Sequence, residues 1–109
     1  MVFRVLDATA FYAGIPFASN DSFMTTSMVY EEIQHIKTKQ GVLEMLQQTN
    51  RLQIRDPIKE SIISVTDTAI KTGDNSTISK QDVSIIALAL ENNLELITDD
   101  FAVTNVAKQ

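Results

Sequence analysis

The sequence predicts an α/β domain in which a mainly parallel central sheet is flanked by helices. Short apolar runs typical of strands alternate along the chain with longer segments of helical periodicity. This alternation is typical of parallel strands joined by crossover helices. The 109 residues, 44% of them hydrophobic and 21% charged, are enough to bury one core. We therefore expect a single domain over residues 1–109.

In the N-terminal half, residues 2–6 alternate weakly and end at Asp7, which predicts a short buried strand followed by a turn. Pro16 stops the small helix that comes next, because proline cannot continue a helix interior. Thr26 or Ser27 can cap a longer helix. The other predictions are an extended segment at 23–26, the capped helix to about Lys39, a helix over 42–48 and a strand over 52–55 closed by Asp56-Pro57.

In the C-terminal half, apolar residues recur at offsets of about four, three and four over 58–72, which predicts an amphipathic helix ended by Gly73. Ser79 begins a second helix that ends near Asn92-Asn93. Its apolar residues cover so much of its circumference that it must be largely buried. A strand over 94–98 and a final helix over 101–108 complete the chain.

Four aspartates are predicted to meet at one edge of this sheet. Asp7 follows the first strand, Asp99 and Asp100 follow the last strand, and Asp82 lies in the first turn of the buried helix. In a parallel sheet, the carboxyl ends of strands and the N-termini of crossover helices share one edge, where ligands usually bind. The topology therefore predicts that these carboxylates converge.

Helical geometry selects Glu32 over its neighbour Glu31 as a fifth candidate. Val29, Ile33 and Ile36 define the apolar face of their helix; Glu32 lies about 65° from its centre and Glu31 nearly opposite. Helical side chains lean toward the N-terminus of the helix. Glu32, in the second turn, can therefore approach the aspartates.

A stable cluster of ionised carboxylates predicts a hard divalent cation, because carboxylates buried together without one would have to stay protonated. Mg²⁺ and Mn²⁺ suit carboxylate oxygen, water and phosphate ligands. The chain has a net charge of −5 and no cysteine, which argues against an ordinary polyanion-binding surface and excludes cysteine-ligated zinc within it. Bound cations would allow such a chain to act on a phosphodiester.

Each candidate also has a structural interpretation. Ser79 and Asp82 have the spacing of a capping box. Asp7 can form a turn, the pair Asp99-Asp100 can begin a helix favourably through the helix dipole, and Glu32 can be a solvated helix residue. Only the ordered set of carboxylates, taken together, favours a site.

That ordered set resembles a PIN domain, the metal-dependent ribonuclease family with a three-layer fold. The resemblance covers nearly the whole chain and rests on the segments VLDATAF, TTSMVYEEI, KTGD, ISKQDVSIIALA and LITDDFAVTNVA. It implies that Asp7, Glu32, Asp82 and Asp100 are the acidic residues that bind Mg²⁺ or Mn²⁺, with Asp99 as an additional carboxylate. It also implies supporting roles for Thr9, Thr98 and Asn105.

Within the family, the KTGD segment with the following S-x-x-D, the TDD turn and the NVA tail most resemble the Nob-type endonucleases. This resemblance implies cleavage of precursor small-subunit ribosomal RNA, within a pre-ribosomal particle, to make the mature 3′ end. Nob-type proteins usually carry a zinc ribbon after this domain. Because the chain stops at Gln109 without cysteine, we expect either a ribbon-free relative or a chain from which the ribbon has been removed.

The leading hypothesis is a divalent-metal-dependent endoribonuclease. We expect it to be cytoplasmic and without a membrane partner, because no apolar run approaches the ~20 residues of a membrane helix. The sequence does not indicate the oligomeric state. Alternatives are a toxin-like PIN ribonuclease acting on transfer or messenger RNA, and a catalytically silent PIN scaffold that binds RNA or ribosomal partners. A phospho-acceptor receiver domain shares the acidic edge, but LITDDF lacks the lysine expected after its last strand.

Overall fold

The computed structural model describes residues 3–18, 21–34, 40–73 and 78–98. Strands within these ranges are β1 at Phe3–Leu6, β2 at Ser22–Thr25, β3 at Leu52–Ile54 and β4 at Leu96–Ile97. Helices within them are α1 at Ala8–Tyr12, α2 at Ser27–Ile33, α3 at Gln40–Gln48, α4 at Lys59–Thr72 and α5 at Lys80–Asn92, with a short 3-10 helix at Ile15–Phe17.

The four strands form one sheet in the order β3-β2-β1-β4, and every pairing in it is parallel. Val5 is paired with Met24 on one side and with Leu96 on the other, so β1 is a central strand. This confirms the predicted parallel α/β architecture. Asp7, Thr26, Arg55 and Thr98 follow the four strands at the same edge, which we call the carboxyl edge.

Helix α5 is the most buried helix of the described chain. Every residue from Ser84 to Ala89 is buried. Ile85 and Leu88 pack in the cluster that contains Val5 and Leu6 of β1, whereas Ile86 packs against α4. The helix is therefore covered on two sides, as the apolar pattern predicts, and its N-terminus is held firmly at the carboxyl edge.

Helix ends follow the predicted capping residues. Thr26 caps α2 and Ser79 caps α5, each accepting a backbone N–H with its side-chain oxygen. Gly73 ends α4 in the left-handed region at φ 80°. Asn93 does the same for α5 at φ 54°.

Three boundaries differ from the prediction by two residues or more. Helix α2 ends at Ile33 rather than near Lys39, and the Gln34 N–H bonds to the Glu31 carbonyl, a short-range bond that tightens the last turn. Strand β4 starts at Leu96 rather than at residue 94, because the Leu94 N–H still closes α5 on the Ala89 carbonyl. Helix α3 starts at Gln40, two residues before the predicted 42. The predicted loop at 74–77 and final helix at 101–108 lie outside the described residues. In the part of the chain that the structure describes, no helix is both long and apolar enough to span a bilayer.

Replacing glycine by alanine should have opposite effects on stability at Gly73 and at Gly41. Gly73 has a positive φ of +80°, which an L side chain adopts at a cost, whereas Gly41 lies in α3; an added Cβ has no neighbour within 4 Å at either position. We expect Gly73→Ala to lower the free energy of unfolding by about 1 kcal/mol and Gly41→Ala to raise it by about 0.5–1 kcal/mol. Urea unfolding of both variants measures this; equal changes would contradict the assigned backbone conformations.

Candidate metal centre at the carboxyl edge

Among the described site residues, Asp7 has the carboxylate that accepts the most hydrogen bonds. It is 1% exposed, and its Oδ1 accepts hydrogen bonds from the Thr9 hydroxyl at 2.7 Å and from the Ala10 N–H at 3.0 Å. The Thr98 hydroxyl, at the end of β4, donates to Oδ2. Asp7 therefore caps α1 and also joins the ends of β1 and β4, which lie side by side in the sheet.

Among the described residues, the hydrogen bonds on Asp7 leave one acceptor position of its carboxylate unoccupied. A carboxylate has about four lone-pair sites, two on each oxygen. Two donors occupy those of Oδ1, whereas the Thr98 hydroxyl occupies one of Oδ2. Oδ2 therefore keeps the capacity for one metal ligand bond, and hard carboxylate oxygen is the ligand type that Mg²⁺ and Mn²⁺ favour.

The donors around Asp7 are all neutral, so they orient its charge without cancelling it. Two ion pairs occur among the described residues, and both involve Arg4, which bonds Asp21 at 3.2 Å and Glu95 at 3.5 Å. Asp21 and Glu95 directly precede β2 and β4, so these pairs lie at the opposite edge of the sheet. Among the described residues no cationic side chain pairs with Asp7, and a buried carboxylate in that position favours compensation by a bound cation.

Asp82 lies in the first turn of α5, where sequence reasoning places it, and it forms the capping box that was its structural alternative. Its Oδ2 accepts the Ser79 N–H at 3.2 Å, and the Ser79 hydroxyl accepts the Asp82 N–H at 3.1 Å. The cap sets the direction of the carboxylate at the carboxyl edge. Its role as a metal ligand stays a prediction.

Glu32 is partly buried on α2, whereas Glu31 is exposed, as the helical angles predict. The role of Glu32 as a site residue stays a prediction. Within the described ranges no group of three or more Asp, Glu or His side chains could hold a metal ion. The predicted site residues Asp99, Asp100 and Asn105 lie outside these ranges. Asp7, Thr9 and Thr98 are thus the predicted site residues that the described structure brings into contact.

Three buried hydroxyl side chains lie along the carboxyl edge, on Thr25, Thr26 and Ser84. The sequence analysis considered Thr26 only as a helix cap and did not identify these hydroxyls as part of a site. Thr25 donates to the Leu6 carbonyl at 3.0 Å, next to Asp7. Thr26 lies 2.9 Å from the hydroxyl of Ser84 on α5. The available signal was the Thr25-Thr26 pair where a strand ends and a helix begins, at the edge where the acidic residues were expected.

The hydrogen bond from Thr98 to Asp7 yields a stability prediction. Thr98→Val keeps the shape of the side chain and removes the donor, so we expect the free energy of unfolding to fall by about 1.5 kcal/mol. Thr68→Val is the matched control, because Thr68 donates to the Ser64 carbonyl of its own helix at 3.1 Å and should change stability by less than about 0.5 kcal/mol. Chemical denaturation of both variants measures the difference; equal effects would refute a special role for Thr98.

Comparison with known proteins agrees with this geometry. The family model described as "PIN domain of ribonuclease" matches residues 4–91. The crystal structure of PAE2754 from Pyrobaculum aerophilum superposes with a TM-score of 0.62 at 18% identity, over 96% of this chain and 84% of that chain. At this identity, the structural likeness shows the fold alone.

Three sequence relatives illustrate the range of the match. Endoribonuclease Nob1 of Methanocaldococcus jannaschii is 39% identical over 110 residues, covering 100% of this chain and 53% of that protein. The 20S-pre-rRNA D-site endonuclease NOB1 of Saccharomyces cerevisiae is 35% identical over 80 residues, covering 73% of this chain and 17% of that protein. Ribonuclease VapC3 of Aeropyrum pernix is 30% identical over 108 residues, covering 94% and 77%.

The chain spans about half the length of the archaeal Nob1 relative. The family model nevertheless covers most of the chain, and the parallel sheet with a buried aspartate after its first strand is present. The chain belongs to the PIN domain family of ribonucleases.

Proposed function

We propose that this chain is a divalent-metal-dependent endoribonuclease that hydrolyses RNA phosphodiester bonds. The observation that supports this most strongly is Asp7, a carboxylate 1% exposed that is held by neutral donors and has one remaining acceptor position on Oδ2. These hydrogen bonds hold the side chain in one orientation, and burying an ionised carboxylate is costly unless a cation compensates its charge.

The residues proposed to hold Mg²⁺ or Mn²⁺ are Asp7, Glu32, Asp82 and Asp100, with Asp99 as an additional carboxylate. When bound, the ion supplies an activated water molecule and shields the charge that develops on the phosphodiester. Thr9 and Thr98 hold the Asp7 carboxylate in one orientation. The capping box holds Asp82 at the start of α5. Fixed ligands of this kind reduce the reorganisation that accompanies reaction.

We propose precursor small-subunit ribosomal RNA as the substrate, cleaved at its 3′ end within a pre-ribosomal particle. The support is the identity to Endoribonuclease Nob1 over the full length of this chain, and the name of the yeast relative, which refers to 20S pre-rRNA. The KTGD, TDD and NVA segments favour the same group.

A second candidate is a ribonuclease of the VapC type, acting on transfer or messenger RNA. The match to Ribonuclease VapC3 covers 94% of this chain and 77% of that protein, a larger share of the relative than the Nob1 match covers. Both candidates share the metal chemistry and differ in the RNA that is cut.

Asp7→Asn tests the chemistry. Asparagine keeps the acceptor oxygen for Ala10 and removes the negative charge, so we expect the protein to fold and RNA cleavage in Mn²⁺ to fall at least 100-fold. Asp67→Asn is the matched control, because Asp67 is exposed on α4 and is not one of the proposed metal ligands, so this substitution removes the same charge outside the proposed set. Cleavage is followed by gel with circular dichroism as the folding check. Undiminished cleavage by folded Asp7→Asn would overturn the assignment.

The two substrate candidates make different predictions for RNA choice. In the same Mn²⁺ buffer, a transcript spanning the 3′ end of small-subunit rRNA should be cut at one position, while a pool of transfer RNA stays intact. Mapping the cut ends by primer extension decides between them. Rapid cleavage of transfer RNA with an intact rRNA transcript would favour the VapC-type function and leave the metal chemistry standing.

A further inference from the structure

We propose that Thr26 and Ser84 are positioning residues that hold α2 against α5 at the carboxyl edge, so that Glu32 and Asp82 face the same cation. This inference rests on the proposed function, because it takes Glu32 and Asp82 to be metal ligands. Thr26 and Ser84 are not themselves proposed ligands. Thr26 begins the helix that carries Glu32, and Ser84 lies two residues after Asp82 in the first turns of α5.

The pair is part of a hydrogen-bond chain whose direction is determined by its partners. The Ser84 hydroxyl donates to the Gln81 carbonyl at 2.7 Å, and a hydroxyl has a single hydrogen to donate. Ser84 is therefore the acceptor in its 2.9 Å contact with Thr26, and Thr26 is the donor. Thr26 in turn accepts the Val29 N–H at 3.3 Å. The chain runs from the first turn of α2 to the first turn of α5.

Burial makes this link firm. Thr26 is 0% exposed and Ser84 is 5% exposed, so water does not compete for the contact, and a lone hydroxyl donor at either position would be costly. Thr25, the residue before Thr26, donates to the Leu6 carbonyl at 3.0 Å. The end of β2 is thereby fixed both to the residue before Asp7 and to the helix that carries Asp82.

Neither helix requires the link for its own ends. Thr26 satisfies the Val29 N–H as an ordinary helix cap, and the Ser84 hydroxyl already has a partner in its own turn. Alanine at position 84 would suit the helix interior better than serine. The specific gain from the Thr26–Ser84 contact is the relative position of the two helices, and therefore of Glu32 on α2 and Asp82 on α5.

Calorimetric titration with Mn²⁺ tests the proposal without relying on catalysis. Polar groups that orient metal ligands typically change metal affinity by about 10–100-fold when they are removed. We expect Ser84→Ala, Thr26→Val and the double variant each to bind Mn²⁺ at least about tenfold more weakly than the original chain. Thr26→Ser keeps the hydroxyl and should bind within about threefold of the original chain.

Two comparisons separate positioning from a general loss of stability. Val65→Ala removes buried volume between α4 and α5 away from the hydroxyl pair, so it should lower the unfolding temperature and leave the Mn²⁺ affinity unchanged. The double variant leaves no orphaned hydroxyl donor, but it also removes the acceptor of the Val29 N–H, so its stability is compared with that of Thr26→Val, and it should bind Mn²⁺ no better than Ser84→Ala. If Thr26→Val does not fold, Ser84→Ala decides.

The outcomes distinguish the two proposals. If the original chain binds Mn²⁺, Asp7→Asn abolishes binding and Ser84→Ala binds as tightly as the original, the positioning role is wrong and the proposed function stands. The positioning role is also wrong if Mn²⁺ affinity falls in step with unfolding temperature across all variants, Val65→Ala included. If the original chain and Asp7→Asn fail equally to bind Mn²⁺, the proposed function and this inference both fall.

Discussion

A buried carboxylate surrounded by neutral donors is the constraint on which the carboxyl edge depends. Asp7 is removed from water, and the groups that replace its hydration are two threonine hydroxyls and one backbone N–H. Such donors orient the carboxylate without adding positive charge. In the described chain the guanidinium of Arg4 pairs with carboxylates at the other edge of the sheet.

The fold supplies this arrangement because all four strands run in the same direction. Parallel strands bring their carboxyl ends to one edge together with the N-termini of the helices that follow. Short side chains at these positions can reach from one element to its neighbour: Thr98 bonds Asp7 across β4 and β1, and Thr25 bonds Leu6 across β2 and β1. Hydroxyls thus connect neighbouring elements at the edge where Asp7 lies.

Much of the fold follows from local sequence signals, since helix caps and apolar periodicity act within a few residues. The capping box at Ser79 and Asp82, the left-handed Gly73 and the burial of α5 were all predictable for that reason. The boundary of β4 was not, because the hydrogen bond from Leu94 back to Ala89 extends the end of α5 into the predicted strand.

The candidate site was partly predictable. Topology placed Asp7 at the same edge of the sheet as the end of the last strand, the family resemblance selected Thr98, and helical angles separated Glu32 from Glu31. The contact between Thr26 and Ser84 joins residues 58 positions apart in the chain, and no local pattern indicates such a pair. It depends on how α2 packs against α5, which is a property of the assembled core.

The most direct test of the central claim is a crystal of this protein soaked in Mn²⁺ and measured for anomalous scattering. The account predicts an anomalous peak at the carboxyl edge between the ends of β1 and β4, within coordination distance of Asp7 Oδ2. It also predicts that the peak disappears in crystals of Asp7→Asn. A well-ordered map with no peak near Asp7, or a peak that persists unchanged in Asp7→Asn, would contradict it.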